Sequence, residues 1–169
     1  DLCQRLGGFA RQAASSEVQG IGITYWGSIV DLDAVPLTRA VQKGWLAGIA
    51  GDEGVNDVTA PHKLKALGIE VEVTKSSSDA DYNELIEVKA ISADGSETSV
   101  RGTLLGKAND PRIVQVDGTA IEVHPTDVLL VIRNVDKPGI VGKLGTTLGQ
   151  HEVNIANMSL SRAENGGEL

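Results

Sequence analysis

The chain is poor in the residues that most often announce a specialised chemistry. Its only cysteine is Cys3, which excludes a disulfide framework and a cysteine-based metal cluster and fits a reducing, cytoplasmic setting. His62, His124 and His151 are scattered without the spacing of metal ligands, so no metal site is expected. Aromatic side chains are few (Phe9, Tyr25, Trp26, Trp45 and Tyr82), so a core must rest on Ile, Val, Leu and Ala. No apolar run approaches the roughly 20 residues of a membrane span, and nothing at the start reads as a secretion signal. Basic residues are outnumbered 15 to 23, for a formal net charge of -8. That removes the cationic surface that nonspecific nucleic-acid binding requires. A small anion held by a local pair of basic residues remains compatible with it.

What is present describes a globular chain: 41% hydrophobic and 22% charged residues over 169 positions, enough for one ordinary domain or two small ones. Residues 1–16 place Leu2, Leu6, Phe9 and Ala13 on one helical stripe, weakened by Gly7 and Gly8. Val18, Ile21, Ile23 and Tyr25 follow in a near-alternating strand pattern. A helix is expected next, with Asp33 as cap, Pro36 in the first turn, and Leu37, Val41, Trp45 and Ile49 recurring every four residues. A short helix ends at Gly68, and Ile69, Val71 and Val73 then alternate along a strand. Four more strands meet in pairs at Asp94-Gly95 and Asp117-Gly118, the pairing signal of tight hairpins whose turns need positive φ. Residues 17–125 therefore read as one α+β unit, a β-rich sheet backed by one or two helices. Residues 1–16 read as a linker helix, and Pro125-Thr126-Asp127 as a boundary. Residues 126–169 continue as strand, helix, strand. Because the chain opens without Met inside a helix and stops at "ENGGEL", it reads as a piece of a longer protein.

The segment "NVDKPGIVGKLGTTLGQHEVNIANMSLSR" decides the functional reading. Its glycines match neither G-x-x-x-x-G-K-[ST] nor G-x-G-x-x-G, so a nucleotide loop is excluded. Gly142, Gly145 and Gly149 share one helical face and suit a helix lying close on a sheet, beside the apolar stripe of Ile140, Leu144 and Leu148. The turn before them is different. Pro138 suits the first helical turn, and the N–H groups of Gly139, Ile140 and Val141 would form a small anion site. Asp136 sits beside that mouth. N–H donors for a carboxylate and an acidic acceptor for an ammonium group are what an amino-acid zwitterion needs, with Asn154 available for a polar side chain. The alternative is that Asp136 caps the helix and Asn154 serves a turn.

This segment resembles the first β-α-β of an ACT domain, the ferredoxin-like βαββαβ module that binds small amino acids. "GTLLGKANDPRIVQVDGTAIEVHPTDVLLVIRNVDKPG" is similar to the tail of the long-form D-3-phosphoglycerate dehydrogenases. "DLDAVPLTRAVQKGWL" and "DYNELIEVKA" fit the intervening, or allosteric substrate-binding, domain of that family. The resemblance runs in order over essentially the whole chain. It implies an L-serine effector site at Asn134, Asp136, the turn of Pro138, Gly139, Ile140 and Val141, and Asn154, completed between two chains, so that Asn154 faces the neighbouring chain's Asp136. It implies a possible anion site at Arg112 and His124, of which His124 would be the weaker partner. It also implies self-association as dimer or tetramer. No catalytic residue is expected here: NAD and the catalytic machinery would belong to domains preceding residue 1, and the ACT domain would lack its last strands and second helix. A regulatory module of another enzyme, such as an iron–sulfur L-serine dehydratase, and a stand-alone amino-acid-binding module are the alternatives.

Overall fold

A computed structural model describes residues 2–47, 54–126, 128–134 and 137–161; Ile49, Asp127 and Asp136 lie outside the described residues. Helix α1 spans Leu2–Ala13, strand β1 Val18–Gly27, helix α2 Val35–Leu46 and helix α3 Thr59–Ala66. Strands β2 (Glu70–Ser76), β3 (Glu84–Ser92), β4 (Glu97–Leu105), β5 (Asp110–Val116) and β6 (Thr119–Val123) follow, then helix α4, Ile140–Gln150. The architecture is α+β: a six-stranded mixed sheet of order β2-β1-β3-β4-β5-β6, in which β1 and β2 pair in parallel and every other pair is antiparallel. The parallel pair needs a long crossover, and α2 and α3 supply it.

Local chemistry explains most boundaries. The Asp33 carboxylate accepts the Val35 N–H at 3.0 Å, and Pro36 stands in the first turn of α2. At the start of α3, Asn56 Oδ1 accepts the N–H groups of Val58 and Thr59, while the Asn56 N–H donates to Thr59 Oγ1, a reciprocal cap. Its end is a Schellman turn: Gly68 N–H reaches Lys65 O at 3.1 Å and Ile69 N–H reaches Leu64 O at 3.0 Å, with Gly68 at φ 73. The two hairpins differ. Asp117 and Gly118 both have positive φ, 45 and 79, as a two-residue type I′ turn requires. At the other hairpin only Gly95 is left-handed, φ 82; Asp94 instead accepts Ser96 N–H and Oγ–H, making a longer loop.

One core lies between the helices and one face of the sheet. Leu2, Leu6 and Ala10 of α1, Val41 and Trp45 of α2, and Ala60 and Leu64 of α3 meet Ile21, Ile23, Tyr25, Ile86, Val88, Ala90, Val100 and Ile113. Helix α1, expected as a linker, is part of this core. Its glycines have a packing role: a Cβ on Gly7 would stand 2.1 Å from Val41 O, and one on Gly44 would stand 1.8 Å from Gln4 O, so α1 and α2 cross in backbone contact. Cys3 is buried in the same core, and burial pushes its thiol up to about 11, away from the reactive thiolate. The Tyr25 hydroxyl, raised to about 12 by burial, shares a hydrogen bond with Thr38 Oγ1. On the opposite sheet face Arg101 bonds Glu87 at 2.7 Å and covers the half-buried Trp26 ring. Trp26 is thus a surface platform, whereas Trp45 is fully buried.

The described part of residues 126–169 differs from the expected strand-helix-strand. Helix α4 forms, but none of its residues is buried, and residues 128–134 and 153–161 carry no strand assignment. A strand exists only through its neighbour's hydrogen bonds, and among the described residues none pairs with these segments. Val128, Leu130, Val131, Ile132, Val153, Met158 and Leu160 are therefore exposed. A Cβ on Gly142, Gly145 or Gly149 would meet nothing within 4 Å, so here the small-residue face lies in open space rather than on a sheet. No helix among the described residues is long and apolar enough to cross a membrane.

Candidate functional site

The turn entering α4 takes its shape from Pro138-Gly139. Gly139 has φ 91 and ψ -10, the second central position of a type II turn, and the Ile140 N–H donates to Lys137 O at 3.4 Å. Proline suits the first central position by its fixed φ, and glycine the second because a side chain is disfavoured there. Two expectations change as a result. Pro138 precedes the helix instead of occupying its first turn, and the Ile140 N–H is engaged by the turn. The Val141 and Gly142 N–H groups have no backbone acceptor among the described residues, since the next helical bond is Lys143 N–H to Gly139 O at 2.9 Å. Of the expected donors, Ile140 is thus turned back on Lys137 O, while Val141, and Gly142 one residue further along, have N–H groups without a backbone partner among the described residues. The N-cap position is Gly139, which has no side chain; the alternative of Asp136 as a cap falls on a residue outside the described ones. Asn134 is half-buried at the entry to the turn, and Asn154 is exposed beyond the helix.

The basic pair of the sheet is brought together. Arg112 Nη1 lies 2.8 Å from His124 Nδ1 across the β5–β6 hairpin. Two carboxylates surround it: Asp110 Oδ2 at 2.7 Å from Arg112 Nη1, and Glu122 Oε1 at 3.5 Å from Arg112 Nε. The bond from Arg112 holds the Asp110 carboxyl below the ordinary carboxylate value and raises the guanidinium in turn. Asp110 also lies 3.5 Å from His124 Nδ1. The signal for this cluster is in the sequence: Asp110 and Arg112, like Glu122 and His124, are two apart and so share a strand face. An anion arriving here must displace Asp110.

Sequence reasoning missed a second set of contacts on the same hairpin. Arg133 forms an ion pair with Asp117, and Ser161 Oγ donates to Ala120 O. Both join the C-terminal segments to the sheet, across more than a dozen residues of sequence, and no local pattern announces them. Among the described residues no group of three or more His, Cys, Asp or Glu side chains could hold a metal ion.

Residues 1–117 match the family described as the D-3-phosphoglycerate dehydrogenase intervening domain, and residues 128–169 match the ACT domain. The D-3-phosphoglycerate dehydrogenase of Bacillus subtilis is 34% identical over 167 residues, 99% of this chain and 31% of that protein. Its counterpart from Methanocaldococcus jannaschii has the same identity and coverage, and that of Synechocystis is 36% identical over 162 residues, 95% of this chain and 29% of that protein. The chain thus spans a little under a third of the length of the curated relatives it matches. It belongs to the D-3-phosphoglycerate dehydrogenase intervening-domain family, joined to an ACT-domain segment.

Proposed function

We propose that this chain is the regulatory part of a D-3-phosphoglycerate dehydrogenase. The whole enzyme would oxidise 3-phosphoglycerate with NAD at the first step of L-serine synthesis, and NAD would bind in domains outside these residues. Here the turn at residues 134–142 would receive L-serine. Its carboxylate meets the N–H groups of Gly139, Val141 and Gly142, its ammonium group meets Asp136, and its hydroxyl meets Asn134 and a neighbouring chain's Asn154. Self-association as dimer or tetramer completes the site. The observation that carries this reading is the order of the two matched domains along nearly the whole chain, alongside relatives that carry that enzyme's name. Feedback requires that L-serine bind one enzyme state more tightly than another.

The test is calorimetric titration of L-serine into this chain and into a version extended through a complete ACT domain. Saturable heat is expected from the extended protein. Its absence at millimolar L-serine overturns the effector reading.

The contact of Arg112 with His124 supports a second, weaker site for a phosphate-sized anion, held in check by Asp110 and Glu122. Replacing Asp110 with Asn removes the competing charge while keeping the shape. Asp110→Asn is expected to tighten phosphate binding about tenfold, the scale of one charge-assisted hydrogen bond, measured by following the His124 ring signals during a phosphate titration. Unchanged affinity removes the anion site.

A further inference from the structure

We infer that Asp117 is a positioning residue for the effector turn, acting from the intervening-domain sheet through Arg133 on the adjacent Asn134. This rests on the reading of that turn as an L-serine site.

Asp117 stands at the first central position of the β5–β6 turn with φ 45, and its own bonds fix its direction. Its N–H donates to Ser99 O at 2.9 Å, and its Oδ1 accepts the Ser99 N–H at 2.7 Å. Both tie the turn to β4. Oδ2 is left facing Arg133, and the Arg133 guanidinium pairs with it. The Asp117 side chain is 27% exposed and that of Arg133 59%, so the carboxylate is the anchor and the guanidinium is what it holds. Exposed ion pairs usually contribute little, because both long side chains must be ordered. Here one partner is already ordered by two bonds to β4, which leaves only Arg133 to be immobilised.

Arg133 immediately precedes Asn134, so the anchored guanidinium fixes the chain at the last residue before the turn. On the far side of α4, Ser161 Oγ donates to Ala120 O of β6. The two segments carrying Asn134 and Asn154 are therefore both tied to one hairpin. That hairpin is continuous with β4 and, through it, with the rest of the sheet. Asp117 is thus a contact at which occupancy of the turn and the position of the sheet bear on one another.

The variant that tests this is Asp117→Asn. Asparagine tolerates the left-handed turn and keeps an acceptor for the Ser99 N–H, but it loses the charge that holds Arg133. In the ligand-free full chain, nitrogen-15 NMR should show the Asn134 side-chain amide shifting and the backbone order parameters of residues 132–134 falling, with the β4 amides unchanged. In the version extended through the ACT domain, the L-serine Kd should rise about fivefold, the factor corresponding to an effective ion pair. Arg133→Gln should do the same, Arg133→Lys should restore part of the loss, and the double variant should be no worse than either single one. Unmoved Asn134 signals, or additive effects of the two substitutions, overturn the proposal. If the unsubstituted extended protein binds no L-serine, the effector reading falls. The ligand-free Asn134 signals then decide the positioning role by themselves.

Discussion

Gly44→Ala is expected to lower the melting temperature of this chain by about 10 °C. The added methyl group would stand 1.8 Å from Gln4 O and 2.6 Å from the Gln4 carbonyl carbon, both backbone atoms of α1 that cannot rotate away. Relief requires α1 and α2 to separate, and that opens the packing around Leu6, Val41 and Trp45, which are all fully buried. Overpacking of this kind costs about 3 kcal/mol, and for a chain of this length each kcal/mol lowers the midpoint by roughly 2–4 °C. Gly7→Ala, 2.1 Å from Val41 O, belongs to the same class. The control lies in α4, where Gly145→Ala meets open space and gains up to about 1 kcal/mol of helix propensity. The same substitution thus has opposite signs in two helices of one chain. Differential scanning calorimetry of the variants checks this, and a Gly44→Ala protein melting with the parent would show that the helices do not cross in backbone contact. In a version extended through the ACT domain the sign at Gly145 should reverse, because the small-residue face would then meet a sheet.

Asp136→Ala is expected to weaken L-serine binding by the extended protein about 100-fold. An ammonium group enclosed beside N–H donors and deprived of its carboxylate loses roughly 3 kcal/mol, in the range found when one partner of a close charge pair is removed. Asp136→Asn separates this role from helix capping. Asparagine caps as well as aspartate, so a capping residue would tolerate the change with no loss of affinity, whereas an ammonium acceptor would lose most of its effect with the charge. Calorimetric titration of both variants distinguishes the two, and normal binding by Asp136→Ala removes this residue from the site.

Much of the sheet could be read from the sequence because alternation is a local property. Ile21 and Ile23, and Ile86 and Val88, reveal their inward face without knowledge of the partner strand. The stop of α3 at Gly68 was equally local. What was not readable depends on contacts between distant segments. Gly7 and Gly44 look like weaknesses in two separate helices until the helices are known to cross. Helix α1 shows its apolar stripe but not what the stripe buries against. The C-terminal strands show the same limit from the other side, since alternation is present at residues 128–134 without a neighbour to pair with. In the candidate site, Pro138-Gly139 was recognisable as a turn, and its type decided which N–H groups remain free. The Asp110 and Glu122 carboxylates around Arg112 could have been inferred from spacing, while the Arg133–Asp117 pair could not.

The place of α1 in the core has a consequence for synthesis. Leu2, Leu6 and Ala10 leave the ribosome well before the strands they cover, since β3, β4 and β5 begin at Glu84 and end at Val116. At about 5–20 residues per second, this stripe stays uncovered for several seconds, with Cys3 in reach of solvent thiols and oxidants during that interval. The β3–β6 meander closes by local contacts, but the unit is not sealed until α1 folds back onto strands made after it. A helix made before the sheet it covers is thus among the last elements of this unit to find its place.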